Sequence, residues 1–358
     1  MNSRDSYEFR RIAFAGVILG TAVGDALGLP AENLSPERIR RRWKGVWRMR
    51  LVFRRGMISD DTEHTLMVAQ ALLAHPRDAT AFQRALGWKL RWWFASLPAG
   101  VGIATAKACL RLWIGFPTKR AAVSSAGSGP AMRSAVIGAF FADDQNLRRE
   151  FVAASSGLTH RGWQAEIAAL AVAESTALTA RTQKHPQTGD VIELLRALSN
   201  QAEWQASITR IESALAAKLS VSEFARDLGL EKGVTGYSLH VVPVALYAWL
   251  RHPVDFRLGM IEVLEAGGDT DTTGAIFGAL AGASVGESGI PKDWLDNVIE
   301  WPRSLSFMRQ ISARLAEQHD SRTPLGPLRY LWPALLLRNV LFLIVVLLHG
   351  FRRLAPPY

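Results

Sequence analysis

The stretch from Gly16 to Gly28, GVILGTAVGDALG, places a glycine at every fourth position of an apolar segment. Residues four apart lie on one face of an α-helix, so these glycines share a face. Each glycine costs roughly 1 kcal/mol relative to alanine inside a helix, so four in register indicate that another backbone packs very close. Gly274, Gly278 and Gly282 repeat the pattern. A helix following Ser59 could cradle a site together with these two.

The N-terminus also resembles a secretory signal peptide. Arg10 and Arg11 precede an apolar run from Ile12 to Leu19 that ends in small residues. We reject this interpretation because the apolar run continues directly into the motif at Gly24 to Gly28, where a cleavage site is expected.

Composition indicates a globular protein with a sizeable core. The chain has 358 residues, enough for one large or two ordinary domains, and 49% of them are hydrophobic. Cys109 is the only cysteine, so no internal disulfide can form. Its alanine and leucine neighbours favour a buried, inert thiol in a reducing compartment, and we predict a cytoplasmic protein.

Basic residues exceed acidic ones by 42 to 32, giving a net charge of +10 that favours anionic partners. The excess is concentrated around Trp43 and Trp47, in Arg38, Arg40, Arg41, Arg42, Lys44, Arg48, Arg50, Arg54 and Arg55. Arginine side chains could bind the phosphates of a nucleic acid, and tryptophan rings could stack on its bases. A solvated or membrane-facing surface is favoured, because no nucleic-acid-binding motif accompanies the segment.

Helical periodicity dominates the chain, and alternating β-branched residues are nearly absent. We therefore predict an all-α protein, with at most a short hairpin before Ser59. The predicted helices include 82–94, 131–141, 164–181, 191–198, 208–219, 241–250 and 254–264.

Two acidic motifs offer oxygen ligands for a metal. Ser59 to Thr62 reads SDDT, and Gly267 to Gly274 reads GGDTDTTG. Carboxylates and hydroxyls without cysteine or a close histidine suit Mg²⁺, Mn²⁺ or Ca²⁺ better than zinc. If the four aspartates converge, two divalent ions would roughly neutralise them.

The alternative is that both motifs are helix N-caps, since each precedes a helical pattern. Taken alone, SDDT fits a plain cap better than a metal site. The second motif is harder to explain as a helix N-cap, because two acids flanked by a glycine pair exceed what one cap requires.

The character of the chain changes near Ser321, so we divide it into a helical domain, residues 1–320, and a linker with an apolar tail, residues 321–358. Leu331 to Leu348 is almost wholly apolar but barely long enough to span a bilayer. Arg338 opposes insertion, whereas Arg352 and Arg353 suit a cytoplasmic or headgroup flank. We favour membrane attachment over a helix docked on the bundle.

Five motifs, in this order, resemble those of the ADP-ribosylglycohydrolases of the dinitrogenase-reductase-activating type. They are Gly24 to Gly28 with Glu32, Ser59 to Thr62, Gly127 to Arg133 (GSGPAMR), Thr159-His160, and Gly268 to Thr272. The resemblance covers residues 12 to about 285. It implies a compact orthogonal helical bundle that holds two Mg²⁺, with Mn²⁺ as the alternative.

The resemblance also implies residue roles. The family's metal-ligand positions fall on Ser59, Asp60, Asp61, Asp269, Asp271 and Thr272. Ser59 departs from the usual threonine, but either hydroxyl offers one oxygen donor. The catalytic candidates are Glu32, Asp60, Asp61 and Asp269, with Glu32 handling a proton or gating the cleft. The candidates for binding ADP-ribose are Gly127, Ser128, Gly129 and His160.

Each of these residues also has a plainer explanation. Glu32 could be an exposed acid after a helix end, Gly127 to Gly129 an ordinary turn, and His160 a core histidine. In the glycine loop, backbone N–H groups at a helix N-terminus could approach a pyrophosphate.

The implied activity is hydrolysis of the bond between ADP-ribose and a modified protein side chain, with arginine first, or another macromolecule. The alternatives are an immunity or binding protein that blocks an ADP-ribosylating toxin by contact, and an inactive membrane-tethered relative. The four retained aspartates favour activity. The sequence does not choose among arginine, serine and DNA linkages.

Overall fold

The computed structural model describes residues 3–182, 184–321 and 323–353. The fold of these residues is all-α, as predicted. The helices are α1 (Ser3–Gly28), α2 (Pro36–Trp43), α3 (Asp60–Ala74), α4 (Ala79–Ala95), α5 (Ile103–Trp113), α6 (Thr118–Ala121), α7 (Ala135–Phe140), α8 (Gln145–Ser156), α9 (Trp163–Thr182), α10 (Thr188–Ala197), α11 (Ala202–Ala216), α12 (Val221–Asp227), α13 (Ser238–Arg251), α14 (Phe256–Glu265), α15 (Thr270–Val285), α16 (Lys292–Leu295), α17 (Leu305–Asp320) and α18 (Trp332–Arg352). Short 3-10 turns occupy Leu29–Ala31, Ala131–Arg133 and Glu287–Gly289.

Two details of the secondary structure differ from the sequence-based prediction. The short hairpin before Ser59 is reduced, within the described residues, to one backbone pairing between Val52 and Arg55. The predicted helix 131–141 is divided into the turn Ala131–Arg133 and α7, and the Ser134 hydroxyl donates to the Ala131 carbonyl at the junction.

The glycine stripes of α1 and α15 face each other at the centre of the bundle, which confirms the predicted close approach of two backbones. A Cβ built on Gly20 would lie 2.0 Å from the carbonyl oxygen of Gly278, and one on Gly24 would lie 2.0 Å from that of Gly274. No side chain other than hydrogen fits between these backbones. The two helices therefore pack backbone against backbone along a central seam.

The apolar character of α1 follows from its position in the core. Tyr7–Ala31 and Trp332–Arg352 are the two described segments long and apolar enough to cross a membrane, and the first is 94% buried in the protein. Helices α3, α7 and α17 pack on α1, while α9, α13 and α14 pack on α15. The N-terminal apolar run is thus a core helix, in agreement with our rejection of a signal peptide.

Cys109 lies on α5 with no exposed surface, and burial raises the pKa of its thiol to about 12. A thiol so hard to ionise is a poor nucleophile. The prediction of a buried thiol is confirmed.

The C-terminal helix α18 docks on the bundle through polar side chains near its middle. The Arg338 guanidinium donates to both carboxylate oxygens of Glu300, at 2.9 and 2.6 Å, and to the carbonyl of Ile58 at 2.6 Å. Asn339 donates to the carbonyl and hydroxyl oxygens of Ser96, both at 2.9 Å. Arg338, which the sequence presented only as a cost to membrane insertion, is a buried partner of the bundle.

The end of α18 also contacts the bundle, through a residue that the sequence analysis assigned to a cytoplasmic or headgroup flank. Arg353 donates to the backbone carbonyls of Glu32 and Pro30, both at 2.8 Å, and His349 contacts the Pro30 carbonyl at 3.1 Å. The helix is therefore fixed to the protein at its middle and its C-terminal end.

Candidate functional site

The glycine pair before α15 places Asp269 at the head of that helix. Gly267 and Gly268 have φ of +71° and +79°, a region that favours glycine. Gly268 lies between two loops: its N–H donates to the Leu34 carbonyl at 2.8 Å, and the Asp269 N–H donates to the Val234 carbonyl at 2.8 Å. The backbone holds Asp269 in place, and its side chain makes no capping hydrogen bond.

The free backbone N–H groups at the N-terminus of α3 donate mainly to a residue of α1. Ser59 occupies the N-cap position and accepts from the Asp61 N–H at 3.4 Å, so the cap alternative holds for Ser59. The buried Asp25 carboxylate accepts from the N–H groups of Ser59, at 2.9 Å, and Thr62, at 3.1 Å. Asp60 and Asp61 are therefore not needed as capping side chains.

Asp25, which holds the head of α3, entered the sequence analysis only as part of the Gly24 to Gly28 motif. It is fully buried, and burial raises the pKa of its carboxyl to about 6, against the hydrogen bonds from Thr62 and Ser59. The available signal was a single acid within the apolar glycine helix, which needs a partner when buried.

A cleft of about 640 Å³ brings most of the predicted site residues together. The predicted residues that line it are Glu32, Asp60, Gly127, Ser128, Gly129, His160, Asp269, Asp271 and Thr272. Ser59 and Asp61 lie behind this surface, with 4% and 1% of their area exposed. The volume suits a nucleotide-sized ligand.

The carboxylates at one end of the cleft repel one another. Burial is the main cause that raises the pKa values of Asp60, Asp61 and Asp271 well above the usual range for aspartate. Charge adds to burial: Asp60 and Asp269 raise the pKa of Asp61, and Glu32 and Asp269 raise that of Asp271. The folded protein therefore holds these groups together at a cost in free energy.

Two buried oxygens in this cluster have no hydrogen-bond partner among the described residues: Oδ1 of Asp61 and Oδ1 of Asp271. The other oxygen of Asp61 accepts from the hydroxyls of Ser59, at 3.2 Å, and Thr272, at 3.3 Å. Buried carboxylate oxygens without donors are normally paired with a cation. The oxygen-only donor set fits a hard divalent cation such as Mg²⁺.

The described residues contain no group of three or more His, Cys, Asp or Glu side chains that could by itself hold a metal ion. A cation here would also need the hydroxyls of Ser59 and Thr272, or water, as ligands. Mg²⁺ commonly keeps several waters and uses only one or two carboxylates.

The other end of the cleft is formed by the glycine loop and His160. A Cβ on Gly129 would lie 3.0 Å from Cε1 of His160, and one on Gly127 would lie 3.2 Å from its Nε2. Neither glycine has positive φ, so a larger residue would be excluded by space and not by backbone conformation. The N–H of Gly127 donates to the Ser125 hydroxyl at 3.3 Å, and that of Ser128 to the Gly236 carbonyl at 3.1 Å.

His160 is neutral at physiological pH. Burial, followed by the nearby Arg133 charge, lowers the pKa of its imidazole to about 3. Its Nδ1 contacts the Thr159 hydroxyl at 2.9 Å, and Arg133 donates to the same hydroxyl at 2.7 Å. The ring is thus a fixed, uncharged wall of the cleft.

The two tryptophans of the arginine-rich segment are not available for stacking on bases. Trp43 and Trp47 are buried, with 2% and 4% of their surface exposed, and their rings pack 5.2 Å apart. The aromatic part of the nucleic-acid alternative is therefore wrong, since neither ring is available to a base.

Comparison with known proteins agrees with the all-α fold. The family model described as ADP-ribosylglycohydrolase matches residues 6–324. An uncharacterized protein of Archaeoglobus fulgidus is 31% identical over 317 residues, covering 86% of this chain and 96% of its own. The ADP-ribosyl-[dinitrogen reductase] glycohydrolase of Rhodospirillum rubrum is 28% identical over 313 residues, covering 84% of this chain and 95% of its own.

A solved structure titled ADP-ribosylglycohydrolase-related protein complex superposes with a TM-score of 0.60 at 26% identity. The alignment covers 87% of this chain and 99% of that one. These findings define a glycohydrolase of the all-α type. The chain belongs to the ADP-ribosylglycohydrolase family, as its motifs indicated.

Proposed function

We propose that the protein is an ADP-ribosylhydrolase that depends on a divalent cation and releases ADP-ribose from a modified protein side chain, with arginine as the first candidate. Family membership supports hydrolysis of ADP-ribosylated macromolecules. The observation that carries the proposal is the cluster of repelling carboxylates, with partnerless oxygens on Asp61 and Asp271, at one end of a nucleotide-sized cleft.

The residues that would hold the metal, two Mg²⁺ or alternatively Mn²⁺, are Ser59, Asp60, Asp61, Asp269, Asp271 and Thr272. When bound, a divalent cation supplies positive charge that offsets the negative charge of the carboxylates. It also orients the hydroxyls of the ribose. The fit rests on the all-oxygen donor set and the two partnerless oxygens.

Hydrolysis needs a water positioned at the anomeric carbon of ADP-ribose. Attack by that water breaks the bond from this carbon to the side-chain atom, which leaves with its electron pair and takes up the proton that the water loses. Glu32 lines the cleft as a half-buried acid, and burial, then the Asp269 charge, raises its pKa. We assign Glu32 to accept the proton of the water, because a carboxylate within the cleft can act as general base.

The glycine loop and His160 would bind the ADP-ribose. Because Gly127 and Ser128 already donate their N–H groups within the protein, these groups would have to be shared with a phosphate. The neutral His160 ring offers a flat wall and a ring nitrogen at the same end of the cleft.

Substitution of Gly129 by valine is expected to weaken binding of free ADP-ribose about tenfold, while Mg²⁺ affinity stays unchanged. The added side chain would press on His160, and overpacking of this kind costs roughly 1–3 kcal/mol. Calorimetric titration with each ligand measures both affinities.

The matched control is the same substitution in a His160→Ala background, where the added valine has room. The effect of Gly129→Val should there be much smaller, as expected for residues in contact. If the parent and Gly129→Val bind ADP-ribose with equal affinity, the glycine loop is not part of the binding site.

The linkage is tested by measuring ADP-ribose release from ADP-ribosylated arginine, ADP-ribosylated serine and ADP-ribosylated DNA. We expect release from arginine to be fastest. Release from none of the three in the presence of Mg²⁺ would contradict the proposal and leave a binding role.

A further inference from the structure

The outward side of α18 carries a continuous apolar stripe. We define the α18 outer face as Leu337, Leu341, Ile344, Leu348 and Phe351, which follow the helical spacing and are all at least 48% exposed. The most apolar 18-residue window of the helix has a mean hydropathy of 2.2, yet only 28% of that window is buried. A contiguous stripe of large apolar side chains is unusual on a soluble surface and marks an interaction site.

Tryptophans flank the N-terminal end of this face. The Trp92 ring lies 5.2 Å from that of Trp332 on α18 and 5.7 Å from that of Trp113, and Trp88 lies 6.3 Å away. Trp88 and Trp113 are exposed. Tryptophan is favoured at the headgroup level of membranes, because its ring is apolar and its N–H is polar.

Arginines flank the C-terminal end. Arg48, Arg54 and Arg352 line one shallow cavity together with Leu348 of the outer face and Phe53. Phe53 is 98% exposed beside these charges. An apolar stripe that ends in cations and an exposed aromatic ring is complementary to the apolar interior and anionic headgroups of a bilayer.

We propose that α18 lies flat on an anionic membrane surface, with its outer face among the acyl chains and the arginines among the headgroups. The inner side of the helix stays on the bundle, because withdrawal of Arg338 would leave the buried carboxylate of Glu300 without its partner. The helix is therefore an interfacial anchor and not a membrane-spanning segment. The α18 outer face lies outside residues 6–324, which match the family, and the proposal does not depend on the proposed hydrolysis.

The test is cosedimentation of the full-length protein with vesicles of phosphatidylcholine, with and without phosphatidylserine. The parent is expected to bind the vesicles that contain phosphatidylserine, and Leu341→Glu/Ile344→Glu is expected to bind at least about tenfold more weakly. The control Val254→Glu, which places a charge at an exposed valine in another loop, should bind as the parent does. An unchanged melting temperature shows that each variant is folded.

A second variant tests the charges independently. Arg48→Glu/Arg54→Glu is expected to abolish the preference for phosphatidylserine without changing the melting temperature, since both side chains are exposed. Bound parent protein should be released by alkaline carbonate without detergent, as an interfacial anchor requires.

Four outcomes would overturn the proposal. The first is a parent protein that remains in the supernatant with both kinds of vesicle, and the second is a Leu341→Glu/Ile344→Glu variant that binds as tightly as the parent. Retention after carbonate would indicate a spanning helix. A parent dimer that the double glutamate variant dissociates, with no vesicle binding, would assign the outer face to a second copy of the chain.

Discussion

Replacement of Asp269 by asparagine is expected to reduce the rate of ADP-ribose release by roughly 10²–10³-fold, the scale seen when one preorganised group is removed from a catalytic site. The fold should survive, because the backbone N–H groups of Gly268 and Asp269 remain bonded to the carbonyls of Leu34 and Val234. Turnover and circular dichroism of the same sample measure both effects. Asp60→Asn is expected to behave in the same way.

The control is Glu231→Gln, which removes a carboxylate from an exposed residue beside Lys232 at the rim of the cleft. It should retain the parent's rate. If Asp269→Asn hydrolyses substrate and responds to Mg²⁺ as the parent does, Asp269 has no part in the site.

Substitution of Gly20 or Gly278 by alanine is expected to lower the free energy of unfolding by about 3 kcal/mol or more, or to prevent soluble expression. The new Cβ would lie 2.0 Å from the Gly278 carbonyl oxygen in the first case and 2.1 Å from that of Gly20 in the second. Both clashes are with backbone atoms of core helices, so rotation of a side chain cannot relieve them. Urea unfolding followed by circular dichroism measures the change.

Gly189→Ala is the matched control, because Gly189 lies in α10 with nothing within 4 Å of the added methyl group. It should be neutral or slightly stabilising, since alanine narrows the unfolded ensemble. Equal urea midpoints for Gly20→Ala and the parent would contradict the close packing of α1 on α15.

The central seam was predictable because its signal is periodic and local. Glycine at every fourth position has one physical explanation, and both partners carry it. The pairing of α1 with α15 joins residues more than 250 positions apart, and only the structure assigns it. Asp25 was harder to predict, since its partners Ser59 and Thr62 lie on another helix.

Other helices escaped prediction because buried charges mask their apolar pattern. Helix α8 buries Arg148, whose guanidinium is 2.6 Å from the Glu174 carboxylate of α9. A sequence window that counts arginine as a surface residue finds no helical stripe there. The same limit applied to Arg338, whose partner Glu300 lies 38 residues earlier in the chain.

The most direct test of the central claim is the rate of ADP-ribose release from ADP-ribosylated arginine after the metal is removed with a chelator and Mg²⁺ is added back. The carboxylate cluster predicts that release stops without a divalent cation and returns when Mg²⁺ is restored, and that Asp61→Asn blocks this recovery. Full activity of the chelated parent protein would contradict the claim that these carboxylates hold a catalytic metal.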